Sequence, residues 1–325
     1  MKKILTTLFI YHFSFLILSA MPADSLRSQA KQFFERGYYA KSIDLLRNIH
    51  EDSLTLEDMR LRYDGFCQTG QIDSLIYWGE RVVKRNSMAD IIPDLTYRLN
   101  NADKEHVNPG LVIEICERYK QQDPTHILVN RQLADAYYLV GNYDLALHEL
   151  EGLEALGDTC FKVLYTKGMI YMNMGKYDDA YDYLSRATAR HNDTHGYCLF
   201  MLGIAANKIG LGGEALGYLG EAEKLMVPDR KTMFRLHQEL AESLRMKGEP
   251  DFRLRELEEC MRYAEEKDVN TLTYQMGQCY LQMRQLDKAR ELFNRFLDAT
   301  KDKEYNNSIK RMRQSAEESL RMMMW

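Results

Sequence analysis

Two histidines four residues apart form the closest approach to a metal-binding motif in this sequence. His191 and His195 flank Asp193, and on a helix this spacing would place both imidazoles on one face, where they could share a zinc ion. The segment lies instead in a polar turn between two apolar helix patterns, and no third ligand stands within reach by spacing. We therefore interpret it as a connecting loop and predict no metal site.

No other residue pattern predicts catalysis or cofactor binding. The glycines from Gly210 to Gly217 precede no lysine of the kind that a phosphate-binding loop uses. The remaining histidines are isolated, and neither a nucleophile–base pair nor a carboxylate pair is recognisable. We predict no catalytic residue, no cofactor and no enzymatic activity. The alternative is an enzyme on a helical scaffold, which would need titratable side chains that converge only in the fold.

The six cysteines predict no redox or structural-zinc motif, because none of them forms a CxxC pair. Four lie within apolar helix patterns, where a cysteine is most simply a small buried hydrophobic residue. Export would expose the thiols to oxidation. Cys160 and Cys198, near the starts of successive helix pairs, are then the pair to test first.

Residues 1–23 have the organisation of a secretory signal peptide. Two lysines precede a mostly apolar run from Ile4 to Leu18, and small residues offer cleavage after Ala20 or Ala23. The run is short for a membrane span, although an uncleaved inner-membrane anchor is the alternative. No later stretch is apolar enough to cross a membrane. We predict an exported, periplasmic protein whose mature chain does not insert into the membrane.

The charge balance argues against nucleic acid and anionic membranes as partners. The chain has 43 basic and 48 acidic residues, a net charge of −5, and removal of the two lysines of the signal peptide makes it more negative. No dense basic stripe is present, and such stripes are what phosphate-rich surfaces attract.

Two consecutive segments between Leu128 and Ala189 carry the same pattern. Gly141 and Gly175 stand 34 residues apart, and the flanking positions repeat with the same offset. The first segment has Leu133-Ala134-x-x-Tyr137, Gly141-Asn142-Tyr143, Ala146, Leu150 and Leu153; the second has Lys167-Gly168-x-x-Tyr171, Gly175-Lys176-Tyr177, Ala180, Leu184 and Ala187. This period and pattern resemble the tetratricopeptide repeat, a pair of antiparallel helices joined by a glycine-containing turn.

The resemblance implies an all-α fold, an α-α superhelix of the right-handed tetratricopeptide solenoid type, with about eight helix pairs. The turn glycine occurs at Gly37, Gly70, Gly141, Gly175, Gly210 and Gly248, with Arg284 at the matching place in the last unit. A degenerate unit without the glycine fills the double spacing after Gly70. The array covers residues 24–304, with units near 25–52, 55–87, 88–125, 127–158, 161–193, 196–229, 232–268 and 270–302.

The pattern of residues 305–325 predicts a C-terminal capping helix. One face carries the apolar residues Ile309, Met312, Ala316, Leu320 and Met323 at helical spacing. A repeat array needs such an end element because the last apolar face has no following repeat. A helix lying on a membrane surface is the alternative, and the mixture of acids and bases on its polar side argues against it.

Proteins of this family bind peptides or partner helices along a concave groove lined by the first helix of each unit. The resemblance therefore implies a protein or peptide partner, with self-association through the end units, or assembly into an envelope structure, as further possibilities. Aromatic and methionine side chains at several groove positions suit such contacts. The alternative is that a tight superhelix buries these side chains against the next unit. The predicted groove residues are Arg131, Asp135, Tyr138, Tyr165, Met169, Met172, Asn173, Tyr197, Phe200, Met201, Ile204, Asn207, Lys208 and Tyr274. The lysine and asparagine set with which some family members clamp a C-terminal carboxylate is absent from the best-matching units.

Overall fold

The computed structural model describes residues 21–191, 195–226, 229–301 and 307–323. The apolar core of the predicted signal peptide, within residues 1–20, and the Asn192–Thr194 part of the histidine segment lie outside these ranges. The described ranges contain seventeen α-helices, one 3₁₀ turn and no strand. The chain divides into two compact units, Met1–Asp158 and Thr159–Trp325.

Unit 1 consists of four consecutive helix pairs, in each of which a first helix is followed by a second. The pairs are α1 (Ala23–Glu35) with α2 (Tyr39–Arg47), α3 (Leu56–Thr69) with α4 (Ile72–Arg85), α5 (Ile92–Asn101) with α6 (Pro109–Lys120), and α7 (Ile127–Leu139) with α8 (Tyr143–Ala155).

Unit 2 contains four further pairs and one terminal helix. They are α9 (Phe161–Asn173) with α10 (Tyr177–Arg190), α11 (Gly196–Lys208) with α12 (Gly212–Leu225), α13 (Arg230–Lys247) with α14 (Pro250–Tyr263), α15 (Glu266–Gln282) with α16 (Leu286–Ala299), and finally α17 (Asn307–Met322). None of the helices within the described ranges is both long and apolar enough to cross a membrane.

The turn between the two helices of a pair needs one residue in the left-handed conformation. Gly141 has φ 77°, and the other turn glycines predicted from the sequence also have positive φ. Arg284 occupies the same place at φ 59°, a conformation that costs a residue with a Cβ atom more than it costs glycine. The predicted turn positions, including the substituted one, are confirmed.

The third pair, which lacks the turn glycine, is held differently. Pro93 and Pro109 lie in the first turns of α5 and α6, where proline needs no amide hydrogen. The side chain of Asn108 accepts a hydrogen bond from the backbone N–H of Leu111 at 3.1 Å and so caps α6. The seven residues between α5 and α6 thereby form a defined connection rather than a glycine turn.

The C-terminal helix covers the last apolar face of unit 2. Ala316 of α17 is fully buried against Tyr274, Phe293 and Phe296. The other four apolar residues predicted for this face also pack there, namely Ile309, Met312, Leu320 and Met323. The apolar face predicted for residues 305–325 therefore packs within unit 2.

All six cysteines lie in the described ranges, and no disulfide bond joins any two of them there. Cys116, Cys198, Cys260 and Cys279 are buried. Burial raises the pKa of the Cys116 and Cys260 thiols to about 12, so both stay protonated and unreactive at neutral pH.

Candidate partner-binding site

Helix α11 lies between neighbouring helices on nearly every side. It packs against α10, α12 and α13, and ten of its thirteen residues are buried. A helix that is apolar all round belongs in an interior, and the sequence Cys198–Ala206 contains no charged residue. Most of its predicted groove positions are therefore part of the core of unit 2.

Five apolar residues predicted to face solvent are buried. Phe200 is 2% exposed, Met201 5% and Ile204 1%, all on α11, and Met169 on α9 is 9% exposed. Tyr274 on α15 is 6% exposed, because its ring packs on Phe293 and Phe296 beneath α17. The side chains that looked most like binding residues thus fill spaces between helices.

Asn207, another predicted groove residue, ties two consecutive first helices together. Its amide nitrogen donates to the backbone oxygen of Glu239 at 2.9 Å and to Glu239 Oε2 at 3.0 Å. Its amide oxygen accepts from the hydroxyl of Ser243 at 2.8 Å. Asn100 makes the corresponding bonds to Gln132 in unit 1, again 32 residues along the chain. These amides act as links between repeats.

Several predicted groove residues do remain accessible in unit 2. Tyr197, in the first turn of α11, is 42% exposed, and Asn173 and Lys208 are also exposed. Tyr165 and Met172 on α9 are partly buried. We call these five residues, together with Phe161, His191, His195 and Arg235, the first-helix face of unit 2.

An aromatic cluster at the start of α9 forms one part of this face. The rings of Phe161 and Tyr165 stack with centroids 5.4 Å apart, and His195 lies 4.9 Å from Phe161 and 5.6 Å from Tyr165. His191 lies 4.7 Å from Phe161. Phe161 was not among the predicted groove residues, although its spacing of four from Tyr165 on one helix could have indicated the stack.

His195 has a structural role that differs from metal binding. Its Nδ1 atom accepts the backbone N–H of Cys198 at 3.1 Å and so caps α11. Burial and the neighbouring His191 lower the pKa of His195, which keeps the ring neutral and the cap intact. Within the described ranges no three His, Cys, Asp or Glu side chains converge as a metal site would require.

Arg235 of α13 adds a cation to the face. Its guanidinium lies 5.8 Å from the centroid of the Phe200 ring. The centroid of the Tyr197 ring lies 6.0 Å from the same Phe200 ring. Within the described residues no carboxylate forms an ion pair with Arg235. The first-helix face of unit 2 therefore combines exposed aromatic surface with an available positive charge.

The three predicted groove residues of unit 1 are largely engaged in local contacts. Arg131 forms a bidentate ion pair with Asp158, in which Nε donates to Oδ2 at 2.5 Å and Nη2 donates to Oδ1 at 2.7 Å. This pair connects α7 to the loop after α8. Tyr138 lies 6.2 Å from Tyr143 across the turn. Asp135 is partly buried on the same helix. Helix α7 has no aromatic side chain as exposed as Tyr197.

Several solved structures are similar to this chain. YrrB, described as a TPR protein with an unusual peptide-binding site, is 19% identical, with a TM-score of 0.51 over 66% of this chain and 100% of its own. A tetratricopeptide repeat protein from Parabacteroides merdae ATCC 43184 is 15% identical (TM-score 0.49; 80% of this chain and 98% of its own). MamA protein is 18% identical (TM-score 0.45; 56% and 96%). No curated protein matches in sequence.

At these identities the likeness to YrrB shows the fold alone. The expected fold class, an all-α solenoid of the tetratricopeptide type, is confirmed. Family models for the tetratricopeptide repeat match residues 161–190, within α9 and α10, and residues 272–299, within α15 and α16. Residues 161–190 and 272–299 are therefore tetratricopeptide repeats within an all-helical repeat protein.

Proposed function

We propose that this protein is a non-enzymatic, exported scaffold that binds a peptide segment of a protein partner along the first-helix face of unit 2. Tetratricopeptide repeats support a role in protein interaction. YrrB has a peptide-binding site on the same fold. Export rests on the basic and apolar N-terminal segment of the sequence.

The observation that carries the proposal is the exposure of Tyr197, two residues after His195, whose ring contacts a partly exposed aromatic stack. A tyrosine offers a large rigid surface and a hydroxyl at low entropic cost, and tyrosines are enriched among the residues that dominate binding energies. Phe161 and Tyr165 extend this surface on the preceding first helix. An extended peptide could lay apolar side chains against the rings while its backbone remains solvated.

The test is selection of peptides from a random phage-displayed library against the chain recovered from the periplasmic fraction. Tyr197→Ala is expected to lower the affinity for the selected peptides at least tenfold, because the contact area of the ring is lost. A tenfold change corresponds to about 1.4 kcal/mol of binding free energy. Tyr165→Ala should act in the same direction. Binding is measured by fluorescence anisotropy of the labelled peptides.

Phe252→Ala is the matched control, since Phe252 is 51% exposed on α14, a second helix of the same unit. It should leave binding unchanged. Equal losses in the Tyr197 and Phe252 variants, or none in either, would contradict the first-helix site. A chain that retains Met1 and stays in the cytoplasm would contradict the exported part of the proposal.

A further inference from the structure

A cavity of about 360 Å³ opens between the second helices α2 and α4 of unit 1, with α3 as its floor. Ile43, Phe66 and Trp78 form apolar walls, and Arg62 and Arg47 contribute positive charge. We call it the Arg62 pocket. It lies in a different unit and on second helices, so it is separate from the first-helix face described above.

Arg62 is an unusual group for such a place because it is charged, 6% exposed and without an acidic partner. Its guanidinium carbon lies 4.3 Å from the centroid of the Trp78 ring, and Nη2 donates to the backbone oxygen of Leu46. Its Nε atom is buried and has no acceptor among the described residues. A buried charge is costly unless it is paired and hydrogen-bonded, and here the pairing is incomplete.

The two carboxylates whose charge acts on Arg62 are already engaged by other arginines. Asp58 pairs with Arg27 at 2.9 Å, and Glu51 pairs with Arg81 at 2.9 Å. Neither lies within ion-pair distance of Arg62 in the described part of the chain. Burial lowers the pKa of the Arg62 guanidinium, although an arginine remains protonated at physiological pH.

A second arginine contributes to the lining of the pocket. Arg47 lines the same cavity and is well exposed, with Asp44 of its own helix as its partner at 2.9 Å. Asp73 is the acidic residue of the lining, but its side chain is 90% exposed and its carboxylate lies 3.0 Å from His106 Nε2. The interior of the pocket therefore presents arginine, and its acid is at the rim.

We propose that the Arg62 pocket binds the carboxylate of a glutamate side chain presented by a partner protein. A guanidinium pairs with a carboxylate through strong, charge-assisted hydrogen bonds. Tyr77, which also lines the pocket and is 42% exposed, offers ring surface to the methylene stem of glutamate and to an apolar neighbour in the partner. A small free acid would satisfy the charge and leave the Tyr77 ring uncovered.

Trp78 is a built-in reporter for this pocket. The chain has two tryptophans, Trp78 and Trp325, so Trp325→Phe leaves Trp78 as the single emitter. The full chain with this change is titrated with the blocked pentapeptide acetyl-Ala-Leu-Glu-Leu-Ala-amide and with its glutamine counterpart. The glutamate peptide is expected to change Trp78 emission saturably, with at least tenfold tighter binding than the glutamine peptide.

Substitutions within the pocket separate its charge from its shape. Arg62→Gln should lower affinity for the glutamate peptide at least tenfold, and Arg47→Gln should lower it several-fold. Lys84→Gln removes one exposed positive charge from α4, the helix that carries Trp78, at a position outside the pocket lining. It should leave affinity unchanged. Thermal melting shows whether Arg62→Gln folds; if it does not, Arg47→Gln and the peptide pair decide.

The proposal fails if the glutamine peptide binds as tightly as the glutamate peptide, if neither changes Trp78 emission, or if Lys84→Gln weakens binding as much as Arg47→Gln. Acetate or glutarate binding as tightly as the peptide would overturn the choice of a protein side chain. Binding only by a peptide with a free C-terminal carboxylate would overturn the choice of glutamate. None of these results depends on the first-helix face, whose test uses unit 2.

Discussion

At the scale of the residue, one buried ion pair links the stability of unit 2 to pH. His237 on α13 is 4% exposed, and its Nδ1 atom lies 2.8 Å from Glu256 Oε2 on α14. Burial alone would lower the pKa of this imidazole. The hydrogen bond to Glu256 and the charges of Glu256, Glu223 and Glu259 outweigh burial and raise the pKa above its ordinary value of 6.5.

The sign of the resulting pH dependence follows from this raised pKa. The folded state binds the proton more tightly than the unfolded state, so the contribution is fully present below pH 6.5 and is lost as pH rises through the folded pKa. His237→Gln is expected to lower the free energy of unfolding more at pH 5.5 than at pH 8.5. Urea unfolding at both pH values measures this difference, and a larger loss at pH 8.5 would contradict the assignment.

Residue by residue, the sequence predicts the candidate site only in part. Helical offsets place Tyr197 and Tyr165 on the first-helix face, where Tyr197 is exposed and Tyr165 is partly exposed. The same offsets do not show that Phe200 and Ile204 are covered. That depends on how closely α13 approaches α11, which is set by packing between repeats and has no signature in a single repeat.

At the scale of the element, the closeness of paired helices rests on glycines within the first helix. A Cβ atom added at Gly203 of α11 would stand 2.6 Å from Leu219 Cγ of α12. One added at Gly168 of α9 would meet Leu184 of α10 at the same distance. These glycines mark helix contact, whereas the turn glycines are required by backbone conformation.

Identical substitutions at two helical glycines are therefore expected to have opposite effects. Gly203→Ala should destabilise the protein by about 1 to 2 kcal/mol, because overpacking against the fully buried Leu219 outweighs the helix preference of alanine. Gly217→Ala, on the open side of α12 with no atom within 4 Å of the added Cβ, should stabilise it by up to about 1 kcal/mol. Calorimetric melting of both variants tests this, and changes of the same sign would contradict it.

The pairing of helices was the most predictable part of the fold. The left-handed turn positions are encoded locally, so even Arg284 could be placed from the spacing of the glycines around it. The third pair was harder because proline and an Asn108 cap replace the turn glycine. The Arg62 pocket could not be foreseen, since its walls come from α2, α3 and α4 and no local pattern unites them.

At the scale of the whole molecule, the array ends in a helix that conceals apolar surface. Without α17, the rings of Phe293 and Phe296 on α16 would lose the cover of Ala316, which is fully buried against them. Tyr274, whose hydroxyl donates to Ser315 Oγ at 2.9 Å, would return to the first-helix face on which the sequence placed it. A repeat array whose last face is uncovered tends to associate through it.

A chain that ends at residue 304 should therefore self-associate and melt at a lower temperature than the full chain. Light scattering coupled to size exclusion, at matched concentrations, is expected to show a larger mass for the truncated chain that increases with concentration. Lys310→Ala, an exposed change on α17 that keeps its apolar face, serves as the control and should behave as the full chain does. A truncated chain with the mass and melting temperature of the full chain would mean that α17 is dispensable as a cap. Self-association of the intact protein would then have to use a different surface.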